Sequence, residues 1–193
     1  MSAHTVKFNL PLIETERLRL RMFEARDLDS AWRLFNDPEV QKYLSPENRR
    51  TRQQLKIILR NSVEYWKHRG FALWCVEEKS RNSMCGYCGF QYLDTTSAVE
   101  IVFAFDKNFW GKGFATEAAN AALKFGFEQL KLEKIFAATH PENTSSRRVL
   151  EKIGMVFEER ATYYGIETAT YSIANGNFKP REVFYKLVYK NFI

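Results

Sequence analysis

No stretch of this chain approaches the ~20 consecutive apolar residues that a membrane-spanning helix requires, and residues 1–9 carry no long apolar run of the kind a secretory signal needs. Cysteine is scarce: Cys75, Cys85 and Cys88 are the only three. Three thiols cannot all pair, so no disulfide framework is expected, and the chain reads as a reduced, cytoplasmic protein with no membrane partner. Histidine is equally sparse. His4, His68 and His140 lie far apart in sequence, which gives little support to a metal centre or a Ser-His-Asp triad. There is no low-complexity segment, no repeat and no Pro/Gly/Ser-rich linker, so residues 1–193 are expected to form one domain. The basic excess is modest, at a net charge of +6. Apart from Arg49-Arg50-Thr51-Arg52 and Arg147-Arg148 the cations are scattered, whereas a dedicated nucleic-acid binder gathers them on one face.

What is present is an ordinary globular composition, 45% hydrophobic and 27% charged, with 16 Phe and 9 Tyr. The aromatic content favours a substantial sheet. Leu18, Leu20 and Met22 alternate with Arg17, Arg19 and Arg21, which predicts a strand over 18–23. Asp27 is placed to cap a helix over 28–36, with Leu28, Ala31, Trp32 and Phe35 on one face, and Asp37-Pro38 breaks it. Thr51 is placed to cap a second helix that Gly70 ends. Strands are expected over 71–77, 84–93 and 99–105, a long alanine-striped helix over 113–130, and a strand over 135–139. A helix from about Ser145 to Ile153 and closing strands over 155–164 and 182–189 complete the set. Residues 165–181 show no clear pattern and read as a long loop or excursion. Cys85-Gly86-Tyr87-Cys88 has redox spacing, but it falls in a predicted strand, where positions i and i+3 face opposite sides and no helix N-terminus lowers a thiol pKa. Core packing is its simpler explanation.

The most informative segment runs from Phe103 to Glu117: an apolar strand, a turn with two glycines, then the long helix. A helix N-terminus offers unpaired N–H groups and a partial positive charge, and together these attract phosphate. Gly111 and Gly113 remove side chains that would hold a phosphate away, Ala115 keeps the first turn slim, and Thr116 can add a hydroxyl. Lys107 or Lys112 can add charge. Gly-Lys-Gly-Phe-Ala-Thr is not a dinucleotide fingerprint, because Thr116 stands where the third glycine belongs and no acidic residue closes the next strand. A Walker loop is excluded by the missing Gly-Lys-Ser/Thr.

Trp110-Gly111-Lys112-Gly113-Phe114-Ala115 resembles the coenzyme A signature of the GNAT N-acetyltransferases, with Trp110 in the position usually basic or amide. Within that family, Trp-Gly-Lys-Gly-Phe-Ala-Thr-Glu-Ala looks like the RimJ/RimL type, which acetylates ribosomal-protein N-termini. The opening Glu14-Thr15-Glu16-Arg17-Leu18-Arg19-Leu20-Arg21, then Asn36-Asp37-Pro38-Glu39-Val40, and the run from Pro141 to Met155 resemble other segments of the same subfamily. The resemblance covers roughly residues 12–160.

It implies an α/β GNAT acyl-CoA N-acyltransferase fold, a central mixed, mostly antiparallel sheet with helices on both faces. Two neighbouring strands would splay apart to admit the pantetheine arm, with Val102, Phe103, Ala104 and Phe105 offering backbone partners. The implied activity is transfer of an acetyl group from acetyl-CoA to a primary amine by direct attack. The cofactor would meet Trp110, Gly111, Lys112, Gly113, Phe114, Ala115 and Thr116, together with Asn143, Ser146 and Arg148. Glu100 is the candidate base, since a carboxylate among apolar neighbours has a raised pKa. Asn143 and Ser146 are the further candidates for catalysis, and Asn143 is equally a good helix cap. Many family members place a proton-donating tyrosine seven residues after this asparagine. Leu150 stands there, which leaves Ser146, Tyr163 or Tyr164 to approach the thiolate. The acceptor, a protein N-terminus or a small molecule, would enter past Trp32, the 37–50 segment and the 165–181 excursion. Nucleic acid is expected as a partner only through a ribosome, and the assembly as a monomer or homodimer. A non-catalytic coenzyme A-binding or regulatory module and a ribosome- or nucleic-acid-binding domain stay open as alternatives.

Overall fold

A computed structural model describes residues 8–43, 50–181 and 183–192. The chain forms β1 (Phe8–Thr15), β2 (Leu18–Arg21), α1 (Leu28–Asn36), α2 (Pro38–Gln41), α3 (Arg52–Arg69), β3 (Leu73–Glu78), β4 (Ser83–Tyr92) and β5 (Val99–Phe105). There follow α4 (Phe114–Glu128), β6 (Lys134–Thr139), α5 (Thr144–Lys152), β7 (Val156–Tyr163), β8 (Ile166–Ala174) and β9 (Tyr185–Phe192). The strands make one nine-stranded sheet in the order β7-β8-β6-β5-β4-β3-β2-β1-β9. Every pairing is antiparallel except β5 with β6. This is the expected α/β GNAT architecture.

Local chemistry accounts for the boundaries. The Thr51 hydroxyl accepts from the Gln54 backbone amide, and the Gln54 side-chain oxygen accepts from the Thr51 amide, closing a capping box at the start of α3. Gly70 ends the helix in the left-handed region at φ 75°. Pro38 starts α2 with Asp37 accepting from the Glu39 amide. Along β3, Trp74 packs with α4 through Phe125 while its neighbour Cys75 packs with α1 and α3, so the sheet has a core on each face.

Five sequence expectations change. The segment 165–181 is not an excursion: β8 fills most of it, buried from Thr168 to Ile173. Lying between β6 and β7, it alternates Thr168, Thr170 and Ser172 with Ala169, Tyr171 and Ile173, a period-2 strand signal that the reading of 165–181 as a loop missed; both sets are buried. The sheet also starts earlier than expected, with β1, whose Pro11 sits opposite Tyr189 of β9. Asp27 precedes α1 but its side chain does not cap it; it grips the buried Arg21 guanidinium at 2.7 and 2.8 Å. Trp32 lies 37% exposed, so Ala31 and Leu34 make the buried face of α1. Finally, β4 bulges at Cys85, where Val76 pairs Gly86 and Glu77 pairs Met84. The bulge turns Cys85 and Cys88 into the same core. Burial pushes the Cys85 thiol up to about 12, so it stays protonated and inert, as packing requires.

Gly89 illustrates how tightly β3 and β4 are seated behind the site. A Cβ there would collide with the Ala72 carbonyl and lie 2.7 Å from Leu73 Cα, both backbone atoms that cannot step aside. Gly89→Ala is expected to cost about 2–3 kcal/mol of stability, in the range of overpacked cores, measured by urea denaturation; a loss below about 0.5 kcal/mol would contradict the packing.

Candidate active site

β5 and β6 share one rung, Glu100 opposite Phe136. Beyond it the two strands part, because β5 continues against β4 as far as Phe105 while β6 follows β8. The backbone of Val102–Phe105 therefore has no strand partner on its β6 side among the described residues. A row of unpaired amide and carbonyl groups at the edge of a gap is a template for a polar, extended ligand.

The gap opens into a cleft of about 520 Å³. Its walls are the end of β5, the turn after it, and the first turns of α4 and α5, with residues 39–43 across from them. Both glycines of the turn are left-handed, Gly111 at φ 73° and Gly113 at φ 78°, conformations that cost other residues roughly 1–2 kcal/mol. A side chain at Gly111 would meet no neighbour, so it is the backbone angle that demands glycine there. The first helical bond of α4 runs from the Glu117 amide to the Gly113 carbonyl. That leaves the amides of Phe114, Ala115 and Thr116 facing the cleft mouth, with the positive end of a 15-residue helix behind them.

The turn is braced from two sides. Trp110 donates its indole N–H to the Phe105 carbonyl at 2.7 Å, tying the turn to the end of β5. Glu117, in the first turn of α4, accepts from the Thr15 hydroxyl at 2.6 Å, from the Arg17 amide at 3.0 Å and from Arg17 Nε at 2.7 Å. Arg17 in turn donates to the Lys112 carbonyl at 2.8 Å, and its guanidinium covers the Phe114 ring. A carboxylate beside an anion site would repel the ligand; here Arg17 neutralises it and uses it to hold the β1–β2 corner against the turn.

Of the residues expected at the cofactor, Phe103, Ala104, Phe105, Trp110, Gly111, Gly113, Phe114, Ala115, Thr116, Asn143, Ser146 and Arg148 line this one cleft. Two do not. Val102 lies deeper along β5, and Lys112 turns to a separate groove with Arg33 and Arg81, its ammonium 5.3 Å from the centre of the Phe109 ring. Lys107 is taken up by Asp37 at 3.4 Å. Sequence reasoning missed Tyr43 and Lys42, which follow α2, and Lys152 of α5. Lys152 was findable, one helical turn beyond Arg148 on the same face. Of the 37–50 segment, residues 44–49 lie outside the described residues, as do His4 and Arg49. Asn143 caps α5 by accepting from the Ser146 amide at 3.0 Å. Leu150, where a tyrosine was absent, is 1% exposed in the core.

Glu100 stands where the strands begin to part. It is 1% exposed. Oε1 accepts from Gln91 Nε2 at 2.8 Å and from the Tyr164 hydroxyl. Oε2 is buried with no hydrogen-bond partner. Burial raises the Glu100 pKa above the ordinary carboxylate range; Tyr164, Gln91 and the nearby Ala138 amide hold it partly back. Tyr164 thus reaches the carboxylate and not a thiol. Glu100 lies on the last shared rung of β5 and β6 and is not among the residues that line the cleft; one of its buried oxygens is left without a partner.

The chain matches the acetyltransferase (GNAT) domain family over residues 17–156 and belongs to it. It is 36% identical to the uncharacterized protein YkkB of Bacillus subtilis (strain 168) over 162 residues, 81% of this chain and 92% of that protein. The crystal structure of a GNAT-family acetyltransferase from Bacillus anthracis is 31% identical and superposes with a TM-score of 0.74, covering 86% of this chain and 99% of that one. The spermidine N-acetyltransferase of Vibrio cholerae, solved with CoA and spermine, shares the fold at 21% identity and a TM-score of 0.70 over 83% of this chain and 97% of that one. The protein is therefore an acetyl-CoA-dependent N-acetyltransferase, and the gap beside β5, with its glycine turn and free helix amides, fits coenzyme A. Gly113→Ala, which forces a Cβ into the left-handed region at the helix start, is expected to weaken acetyl-CoA about tenfold by isothermal titration, the equivalent of ~1.4 kcal/mol; an unchanged Kd would contradict the anion-site geometry.

Proposed function

We propose that the protein moves an acetyl group from acetyl-CoA to a primary amine by direct attack within a ternary complex, with Glu100 as the base. The observation that carries this reading is the free Oε2 of a buried carboxylate placed where β5 and β6 separate. The amine loses a proton to Glu100, directly or through one water, as its nitrogen forms the new C–N bond. The C–S bond breaks and the sulfur leaves as a thiolate held by a hydrogen bond; the proton taken by Glu100 passes to solvent, from which the thiolate is protonated. Backbone amides of β5 along the gap polarise the thioester carbonyl. The helix amides of α4, with Arg148 and Lys152 of α5, hold the phosphates. Asn143 and Ser146 border the cleft at the start of α5, and the Ser146 hydroxyl is the donor we assign to the departing sulfur in place of the tyrosine that Leu150 replaces. Much of the rate comes from holding amine and thioester in line.

For the acceptor, two amines have support of different kinds. The RimJ/RimL-like turn favours a protein α-amine. The relative from Vibrio cholerae is named for spermidine, and Asp94 beside Glu100 adds a second acidic group that favours a cationic amine. A thiol-release assay with peptides of varied N-terminus, spermidine and aminoglycosides separates them, since only the matching class should show saturable turnover.

Two outcomes test Glu100. Glu100→Gln is expected to lower kcat about a hundredfold while acetyl-CoA Kd stays within about twofold; an unchanged rate would remove Glu100 from the mechanism. Because its pKa is raised in the fold, the ionised form is disfavoured there. Glu100 therefore supports stability below the ordinary carboxylate range, and that support is lost as pH rises through the raised value. Glu100→Gln should melt no lower than the parent at pH 8, with the difference narrowing toward pH 4; a clearly lower melting temperature at pH 8 would contradict the burial cost.

A further inference from the structure

The tip of the β7–β8 hairpin reaches across the sheet to the base. Tyr164 and Gly165 make the two-residue turn, at φ 54° and φ 74°. Such a turn favours glycine or asparagine at both central positions, and a tyrosine there is held in the left-handed region at a cost. The opposing β4–β5 turn carries a second such residue, Asp94 at φ 49°. The two strained residues are locked to each other. The Tyr164 amide donates to Asp94 Oδ2 at 3.0 Å, and the Asp94 amide donates to the Tyr164 hydroxyl at 2.9 Å. Gln91 Nε2 lies 3.1 Å from the same hydroxyl and 2.8 Å from Glu100 Oε1. Strain stored in two turns and spent on one shared set of hydrogen bonds needs a purpose at the point where they meet. That point is Glu100, to whose Oε1 the phenol donates.

We propose that Tyr164 is the positioning residue of the base: its hydroxyl, aimed by the lock with Asp94, pins Oε1 of Glu100 and leaves Oε2 as the single oxygen free to take the acceptor's proton. This rests on Glu100 being the base. The phenol is suited to the task because it holds its proton throughout the working range, being pushed up to about 12 by burial and by the Glu100 carboxylate. It therefore acts only as a donor and supports the ionised carboxylate. Asp94 acts in the opposite sense, its charge favouring the protonated form of Glu100. Tyr164 and Asp94 face Glu100 from the β7–β8 and β4–β5 turns, and the Gln91 amide is the neutral donor to Oε1; the Ala138 N–H lies near and helps the ionised form without bonding to either oxygen. Tyr164 sets the direction of the carboxylate, and the balance of Tyr164 against Asp94 sets the pH at which it becomes a base. Tyr164 is 43% exposed, which places this control at the surface.

The test uses full-length protein with 13C-labelled glutamate carboxyls, the Glu100 signal being assigned by its loss in Glu100→Gln. Tyr164→Phe removes one donor and keeps the ring. It is expected to move the Glu100 titration upward by about one pH unit, and the acid limb of kcat/KM with it, so that the rate on that limb falls about tenfold while acetyl-CoA Kd is unchanged. Asp94→Asn keeps its backbone donor and loses only the charge. It is expected to move both curves the other way, a reversal that a merely structural role would not produce, and it serves equally if Tyr164→Phe folds poorly. The rate arm uses whichever panel amine turns over, and the carboxyl titration needs no acceptor. A Glu100 titration unmoved by either substitution would overturn the proposal. A titration that moves while the acid limb stays fixed would overturn the role of Glu100 as base, and the positioning role with it, although the hydrogen bond itself would stand.

Discussion

The structure depends on one rung of a parallel pair. β5 and β6 meet at Glu100 and Phe136 and then separate. Were they paired along their length, the amides and carbonyls of Val102–Phe105 would be satisfied within the sheet and the glycine turn would hang over a closed surface. Because they part, the same backbone becomes the wall of a gap, the turn stands at its mouth, and the rung at Glu100 marks where the gap begins. The remaining strands keep that separation. β4 holds β5 from one side over seven residue pairs, and β8 holds β6 from the other. The long connection through α4 carries the chain from one to the other, as a parallel pair requires.

Charge is arranged along the gap in a gradient that matches acetyl transfer. At the mouth are free helix amides and the cations of α5, an environment for phosphate. Where the gap begins is a carboxylate taken out of water, whose raised pKa gives it affinity for a proton. A single acidic residue in the wrong place would spoil the mouth, and Glu117 is such a residue by position. Its neutralisation by Arg17 and Thr15 converts it into the brace that sets the turn. In the same way Asp27 and Glu77, both buried, are matched by Arg21 at hydrogen-bond distance, whereas Glu100 keeps a buried oxygen without a partner.

What the sequence made legible was local and glycine-punctuated. Strand β5, the turn at Gly111 and Gly113, the start of α4 and the cap at Asn143 each follow from a short-range rule: a left-handed residue, a free helix end, a side chain that accepts an amide. Twelve of the residues expected at the cofactor line one cleft for that reason. What escaped was set by the sheet as a whole. β8 alternates Thr168, Thr170 and Ser172 with Ala169, Tyr171 and Ile173, but the signal is faint because only Tyr171 and Ile173 are large and apolar, and the polar set is buried as well. Pro11 interrupts the pattern of β1. The bulge at Cys85 reverses the facing of a residue that a uniform strand would put on the other side. The linkage of Tyr164 to Glu100 spans 64 positions, and no periodicity or spacing encodes it. Lys112 shows the converse: it lies inside the phosphate-binding motif, yet it lines the groove with Arg33 and Arg81 and not the cleft.

The central claim is that the gap beside β5 is where acetyl-CoA lies. Amide hydrogen exchange, read residue by residue by NMR with and without acetyl-CoA, tests it most directly. In the free protein the gap-side amides of Val102–Phe105 and the amides of Phe114, Ala115 and Thr116 have no partner, so they should exchange fast, and saturation with acetyl-CoA should slow both sets together. Slow exchange of the gap-side amides before acetyl-CoA is added would contradict the parted strands, and protection that appears elsewhere while both sets stay fast would contradict the site.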